Sequence, residues 1–362
     1  MPSCGIIGLP MVGKTTIFNL LSGSRAETSK FFSGRTEANV AMARVPDKRV
    51  DLLSAIYRPK KTTYAQIEVI DVPGLVRGAS EGQGIGNAFL DSVRQADALI
   101  HVVRVFASDL GHVEGTINPQ RDVETVAFEL LMADMEFVDK RLTRMQESKK
   151  KPPQMAAETE VLGKVLQHLE QELPFSHIQL SDKEREVIAQ YTFLTDKPLI
   201  IVANLDDAQL SAGDYPGKAD LHAYCGAQGL PLVEISANSE MEIAQLSGED
   251  RELFFADLGI TEPGIDRISR AAYQTLGLIS FFTVGDDEVR AWTVVRGSVA
   301  KQAAGKIHSD LERGFIRAEL MRCSDMVEHG SAAKLKEKGL VSLEGKDYIV
   351  QDGDILSIRF NV

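Results

Sequence analysis

Apolar and β-branched runs recur at Cys4–Ile7, Gln66–Ile70, Ala98–Val103, Pro198–Ala203 and Leu232–Ile235, several of them followed by loops carrying Gly, Asn, Asp or Ser. This pattern predicts an α/β fold with a parallel sheet whose chemistry lies at the C-terminal ends of its strands. Between the third and fourth runs the period changes. From Arg121 to Met145 apolar residues fall at Phe128, Leu131, Met135, Val138, Leu142 and Met145, alternating three and four apart like a coiled-coil seam. Leu162, Leu166, Leu169 and Leu173 repeat the spacing. Between the two stretches lies Lys149-Lys150-Lys151-Pro152-Pro153, which no helix crosses unbroken, so an antiparallel helical hairpin inserted into the α/β domain is predicted. After Leu278 the spacing shifts again. Ile279–Val284 and Val289–Val295 predict a β-hairpin around Gly285-Asp286-Asp287, Val299–Ser309 a helix, and Ile316–Arg322, Asp347–Val350 and Asp354–Phe360 the remaining strands of a ubiquitin-like α+β roll.

Two of the strand ends carry phosphate chemistry. Gly8-Leu-Pro-Met-Val-Gly13-Lys14-Thr15 fits G-x-x-x-x-G-K-[ST], in which loop N–H groups and a helix N-terminus cradle phosphate, Lys14 reaches the terminal phosphates and Thr15 ligates Mg²⁺. Thr16-Ile17-Phe18-Asn19-Leu20-Leu21 then has helical spacing, the context the motif demands. Asp71-Val-Pro-Gly74 ends the second run; there Asp71 holds the metal, usually through water, and the Gly74 amide senses the γ-phosphate. One such motif alone is weak, because a glycine turn between strand and helix imitates it. Both in this order point to a P-loop nucleotide switch.

A chain of 362 residues exceeds one ordinary domain, and 44% hydrophobic with 25% charged residues is ordinary for a folded protein. No apolar stretch approaches a membrane span and no signal-like segment precedes the phosphate motif, so a cytoplasmic protein without membrane association is expected. Cys4, Cys225 and Cys323 are far apart, which argues against a zinc site or disulfide framework. The net charge of −12 opposes general polyanion coating, so any nucleic-acid contact is local. Lys149–Lys151, Arg290, Arg296, Arg313 and Arg317 are candidate phosphate contacts, although such charge runs are more often solvated faces. No repeat or symmetric seam argues for a dimer, and a monomer is expected.

Cys4–Asn19, the second-switch segment Asp71-Val-Pro-Gly-Leu-Val-Arg-Gly-Ala-Ser-Glu-Gly-Gln-Gly-Ile-Gly-Asn, Glu288-Val-Arg-Ala-Trp-Thr-Val and Leu343-Glu-Gly-Lys-Asp-Tyr-Ile-Val-Gln-Asp-Gly-Asp together resemble the YchF or Obg-like ATPase family from end to end. The resemblance implies a P-loop NTPase with a Ras-like G domain at 1–120 and 196–277, a coiled-coil hairpin at 121–195, and a β-grasp TGS domain at 278–362. It also implies slow hydrolysis of ATP, or of GTP, with Mg²⁺, and association with the ribosome or its RNA through the hairpin and the TGS domain. Met11, Val12, Gly13, Lys14, Thr15, Thr16 and Gly74 are then the phosphate-binding residues, and Thr15, Thr36 and Asp71 the metal set.

Base reading falls to Asn204, Leu205, Asp207, Ser236 and Ala237. In GTP-specific relatives N-K-x-D reads guanine; here the segment is Asn204-Leu205-Asp206-Asp207, whose leucine matches ATP-preferring relatives while Asp207 keeps the guanine-reading carboxylate. Asp206 and Asp207 taken singly are equally explained as acids at a helix N-terminus. Leu75 stands where many GTPases place a water-positioning glutamine. By the resemblance His112, in Gly111-His112-Val113-Glu114-Gly115, takes over that catalytic role beside Lys14; the alternative is an exposed loop histidine without function. Three positions depart from the family: Met11 replaces an asparagine tied to potassium stimulation, Pro73 replaces an alanine, and an ungapped match puts Arg35 at the first-switch threonine. Either Thr36 supplies that ligand after a one-residue shift, or Arg35 contacts phosphate directly. Three classes stay open: a ribosome-associated ATPase switch, a guanine-specific GTPase, and a scaffold that nucleotide merely stabilises.

Overall fold

The computed structural model describes residues 1–23, 29–33, 36–72, 85–107, 111–148, 153–257 and 260–361. Its first eight strands are β1 (Ser3–Ile7), β2 (Ser29–Ser33), β3 (Thr36–Arg44), β4 (Lys61–Thr63), β5 (Gln66–Asp71), β6 (Ala98–Arg104), β7 (Leu199–Asn204) and β8 (Leu232–Ile235). Seven of them form one sheet in the order β2-β3-β5-β1-β6-β7-β8. β5, β1, β6, β7 and β8 run parallel, while β2 and β3 form an antiparallel hairpin. Every residue of β1 and β6 is buried, which is why these strands read as mainly apolar runs, interrupted in β6 by His101, rather than alternating ones. The loops after β1, β5, β7 and β8 therefore emerge on the same edge, where ligands of open parallel sheets bind.

Contacts divide the chain into two compact units, Met1–Ala41 with Glu68–Ile268, and Met42–Ile67 with Ser269–Val362. Residues 42–67 thus cluster with the C-terminal unit, whereas the sequence reading counts them in the nucleotide domain. Two elements tie them there. The three-residue β4 pairs in parallel with β10 (Glu288–Val295), and Arg49 of the helix α2 (Lys48–Tyr57) bridges Asp47 and Asp352 at 2.8 and 3.0 Å.

In the first unit the hairpin helices are α4 (Pro119–Glu147) and α5 (Pro153–Leu169), following α1 (Lys14–Ser22) and α3 (Ile85–Gln95). α4 starts where Asn118 accepts a hydrogen bond from the Arg121 amide at 3.1 Å and Pro119 sits at the first helical position. Leu131, Val138, Leu142 and Met145 pack with Val161, Leu162, Val165 and Leu169, so the predicted seam forms. Two of its members are wrong: Phe128 and Leu173 are exposed. Helices of 3.6 residues per turn drift away from a strict heptad stripe, and at its N-terminal end α4 turns Val123 onto the sheet residues Val103, Ile201 and Ala203 instead. The basic tip Lys149–Lys151 lies outside the described residues.

The second unit carries β9 (Leu278–Thr283), β10, β11 (Phe315–Arg322), β12 (Ser342–Glu344) and β13 (Asp354–Phe360), with α12 (Ala300–Ile307) packed against them through Ala300 and Ala303. The order β12-β11-β13-β9-β10, with β9 and β13 parallel, is that of a β-grasp roll. Asp347–Val350 is not a strand. It makes one isolated bridge, Val299 to Ile349, because the Val350 amide and the Tyr348 carbonyl bond Ser298 and Ala300 rather than a ladder partner; the short β12 takes its place in the sheet.

Replacing Leu162, fully buried in the hairpin seam, by alanine is expected to cost about 2–5 kcal/mol, whereas Phe128→Ala stays within about 1 kcal/mol. Urea unfolding followed by helical circular dichroism checks the difference.

Candidate nucleotide site

The loop from Gly8 to Gly13 joins β1 to α1, and its backbone fixes its glycines. At Gly8 (φ +144°) a Cβ would stand 2.4 Å from the Val102 carbonyl oxygen, and at Gly13 (φ +98°) 2.3 Å from Asn204 Nδ2. Only glycine permits either approach. Met11 also has positive φ, 60°, a region that asparagine tolerates far better than methionine, and its side chain is exposed. Gly13 caps α1 without a side-chain bond, so the first-turn amides of Lys14, Thr15 and Thr16 face no competing cap.

Lys14 is buried and its Nζ donates to the Gly8 and Leu9 carbonyls at 3.1 and 2.7 Å. Desolvation lowers its pKa to about 8, against the opposing pull of Asp71. Asp71, at the end of β5, accepts from Thr15 Oγ1 at 3.4 Å and from the Asn39 side chain. Burial raises the Asp71 pKa, with Lys14, Thr15 and Asn39 counteracting it. Thr15 and Asp71 thus converge as two hard oxygen donors, one of them a desolvated carboxylate that a cation relieves, which fits Mg²⁺ completed by phosphate and water. Beneath them His101 of β6 is 1% exposed and held neutral, its pKa lowered to about 3 by burial and then by Lys14. Asn39 was missed from sequence; its place in the first-switch stretch was the only available signal.

The base segment is a hydrogen-bonded block. Asn204 Nδ2 donates to the Val12 carbonyl at 3.0 Å and Asn204 Oδ1 accepts from the Ala237 amide at 3.1 Å. Leu205 buries its side chain against Tyr215, Leu221 and Cys225, and its amide donates to the Ile235 carbonyl. Asp206 caps α7 (Asp207–Ala212) by accepting from the Gln209 amide at 2.8 Å, which assigns it the helix-start role. Asp207 Oδ1 accepts from Ser236 Oγ at 2.8 Å and also from Ser239 Oγ, a residue the sequence reading did not single out.

His112 is not an exposed loop histidine. Its side chain is 3% exposed, Nδ1 accepts from the Glu114 amide at 3.1 Å, and Nε2 lies 2.9 Å from Asp122 Oδ2 in the first turn of α4. That contact has ion-pair distance without hydrogen-bond alignment. Arg121 holds the other Asp122 oxygen at 2.8 Å and also bonds Thr116, so the loop is latched at both ends. None of these partners belongs to the phosphate loop. Thr36 lies on β3 opposite Ser33, and Gly74, Leu75, Pro73 and Arg35 fall outside the described residues. No group of three or more potential metal ligands occurs among the described residues. None of their helices is long and apolar enough to cross a membrane, and all three cysteines are buried free thiols.

Residues 3–158 match the MMR_HSR1 family model, 50S ribosome-binding GTPase, and residues 278–361 match YchF-GTPase_C, whose description is "Protein of unknown function (DUF933)". The Ribosome-binding ATPase YchF of Bacillus subtilis (strain 168) is 42% identical over 365 residues, covering 99% of each chain. The chain belongs to the YchF family. The YchF of Escherichia coli O157:H7 is 40% identical with the same 99% coverage of both. The Schizosaccharomyces pombe YchF GTPase structure superposes with a TM-score of 0.85 at 32% identity, covering 99% of this chain and 97% of that one. The YchF assignment spans both units, which agrees with the end-to-end resemblance in the sequence.

Phosphate beside Lys14 restores the ammonium that burial disfavours, so its pKa rises on binding. Nucleotide binding is therefore expected to be proton-neutral at pH 7, to take up about one proton at pH 9, and to weaken as pH rises through about 8. Calorimetry in buffers of different ionisation enthalpy checks this, and Lys14→Met removes the uptake.

Proposed function

We propose that this YchF-family chain is a slow Mg²⁺-dependent nucleoside triphosphatase that favours ATP and works as a ribosome-associated conformational switch. The observation that carries the reading is the convergence of Lys14, Thr15 and Asp71 at the mouth of a phosphate loop clamped to the base segment. The loop amides and the α1 N-terminus bind the phosphates, and Lys14 exchanges its two carbonyl partners for β- and γ-phosphate oxygens. Thr15 and Asp71 would hold Mg²⁺, with Thr36 of the first-switch stretch as the third protein ligand. Bound there, the ion would supply charge neutralisation for the triphosphate; the reaction itself is attack of water on the γ-phosphorus with loss of ADP. Gly74 reads the γ-phosphate, and its loss on hydrolysis releases the switch.

Slowness follows from two features. Leu75 can neither orient nor deprotonate water, and His112, the substitute, is buried at ion-pair distance from Asp122, which Arg121 also grips. Catalysis requires that latch to open. Adenine is read by Leu205, whose amide is already committed to Ile235, so that its carbonyl accepts from the exocyclic amine. Asp207 is the one feature favouring the guanine-specific reading.

The ribosome assignment rests on the relatives' name and on the modular architecture. The nucleotide domain (1–120 with 196–277) signals to the hairpin (121–195) and the TGS module (278–362), which present the partner surfaces of a cytoplasmic monomer. Arg290, stacked 3.9 Å over Trp292 and only loosely paired with Glu288 at 3.9 Å, is a better RNA-contact candidate than Arg313, which Asp310 holds at 2.7 Å.

Lys14→Ala is expected to abolish ATP turnover and its stimulation by ribosomes, measured as phosphate release; retained ribosome-dependent turnover would sink the proposal. Competition of ATP against GTP for the site decides the base. Asp122→Asn frees His112 and is expected to raise basal turnover several-fold, short of the ~10²–10⁴-fold that fully positioned general-base catalysis gives. Adding His112→Ala must cancel that gain.

A further inference from the structure

Two strands meet at the proposed metal site. β3 lies next to β5 in the seven-stranded sheet, and the side chain of Asn39 on β3 bonds the Asp71 carboxylate that ends β5. An ionised carboxylate only accepts hydrogen bonds, so the carboxamide of Asn39 turns its Nδ2 toward Asp71. Among the described residues the other side-chain donor to this carboxylate is Thr15 Oγ1 at 3.4 Å, longer than an ordinary O–H···O bond. Thr15 is itself assigned to the ion. Asn39 is thus the donor whose contact with Asp71 stays in place when a cation arrives.

The Asn39 side chain is exposed, whereas its neighbours Val40 and Ala41 are buried at 7% and 3% exposure and anchor β3 in the core. Packing of the strand therefore does not depend on it. Its chemistry suits the carboxylate instead. The last torsion of an aspartate is broad, and a ligand that turns freely binds a metal poorly, so a partner that fixes it strengthens the site. A neutral amide does this without cancelling the charge. Lysine or arginine in its place would neutralise Asp71 and compete with a cation, aspartate would repel it, and an aliphatic side chain would leave only the long Thr15 contact.

We infer that Asn39 is a positioning residue for the metal site: its carboxamide holds the Asp71 carboxylate in the orientation that binds a divalent cation together with Thr15. This rests on the assignment of Thr15 and Asp71 as metal ligands, and adds to it a group that acts on the ion only through Asp71.

The test is titration of the full chain, saturated with ADP, with Mn²⁺, the free ion being followed by electron paramagnetic resonance so that no turnover is needed. Asn39→Leu, close to asparagine in size but without the amide, is expected to weaken Mn²⁺ binding about tenfold or more, as loss of a ligand's hydrogen-bond partner does. ADP binding in EDTA, read by calorimetry, is expected to stay within about threefold, which also shows that the variant is folded. Asn39→Ala, which adds no apolar surface, gives the same loss and serves if the leucine variant misfolds. In an Asp71→Asn background Asn39→Leu is expected to change Mn²⁺ affinity by less than about threefold, because the two residues act as one unit. A smaller loss in both Asn39 variants overturns the inference. So does a larger loss in the Asp71→Asn background, or an equal loss of ADP binding in EDTA, either of which marks a mere strand tether. If Asp71→Asn alone leaves Mn²⁺ affinity unchanged, the metal assignment falls and the inference with it; if Asp71→Asn weakens Mn²⁺ and the Asn39 variants do not, only the inference falls.

Discussion

One buried amide holds the site together. Asn204, at the end of β7 and 4% exposed, donates to the phosphate loop at Val12 and accepts from the Ala237 amide after β8, so the ends of β1, β7 and β8 are bonded through a single side chain. Neither a shorter nor a charged residue serves, because the contact needs a donor and an acceptor on one rigid group. The approach is close enough that a Cβ at Gly13 would overlap Asn204 Nδ2. The glycine that closes the phosphate loop and the asparagine that opens the base segment are therefore one constraint. The phosphate loop and the proposed base-reading segment share it.

Around this clamp the protein accumulates buried charge that its own groups only partly compensate. Lys14 is stripped of water and leans on two carbonyls, Asp71 is pushed toward protonation, and His101 stays neutral beneath them, with no hydrogen-bond partner for its Nε2 among the described residues. Each of these is unfavourable by itself. Together they form a surface that polyphosphate and a divalent ion complement, since one supplies the anion that Lys14 lacks and the other the cation that Asp71 lacks. The Asp122 carboxylate, by contrast, has one oxygen bound by Arg121 and the other at ion-pair distance from His112.

Legibility differed by the range of the interaction. The central strands were readable because burial on both faces leaves continuous apolar runs, and the phosphate motif because its glycines answer to local backbone angles. The hairpin was readable from its period, but Phe128 and Leu173 joined the seam on paper only: the heptad count ignores where α4 leaves its partner for the sheet. Asp347–Val350 looked like a strand and became a bridge-forming turn, since its polar backbone found Ser298 and Ala300 rather than a neighbouring strand. His112 had no sequence signal for burial. Its partner, Asp122, reads as an ordinary acidic residue in the first turn of a helix.

The amino-acid order by itself determined the family, the strand-loop-helix phosphate site and the division into sheet, hairpin and β-grasp roll, because each depends on periodicity or on spacings of a few residues. Only the tertiary structure decided which polar groups meet: Asn204 with Val12, Ser239 with Asp207, His112 with Asp122, and β4 with β10. These pairs join residues from 10 to more than 200 positions apart. Their existence depends on how packed layers bring loop ends within hydrogen-bond reach, and no local pattern of side chains records that distance.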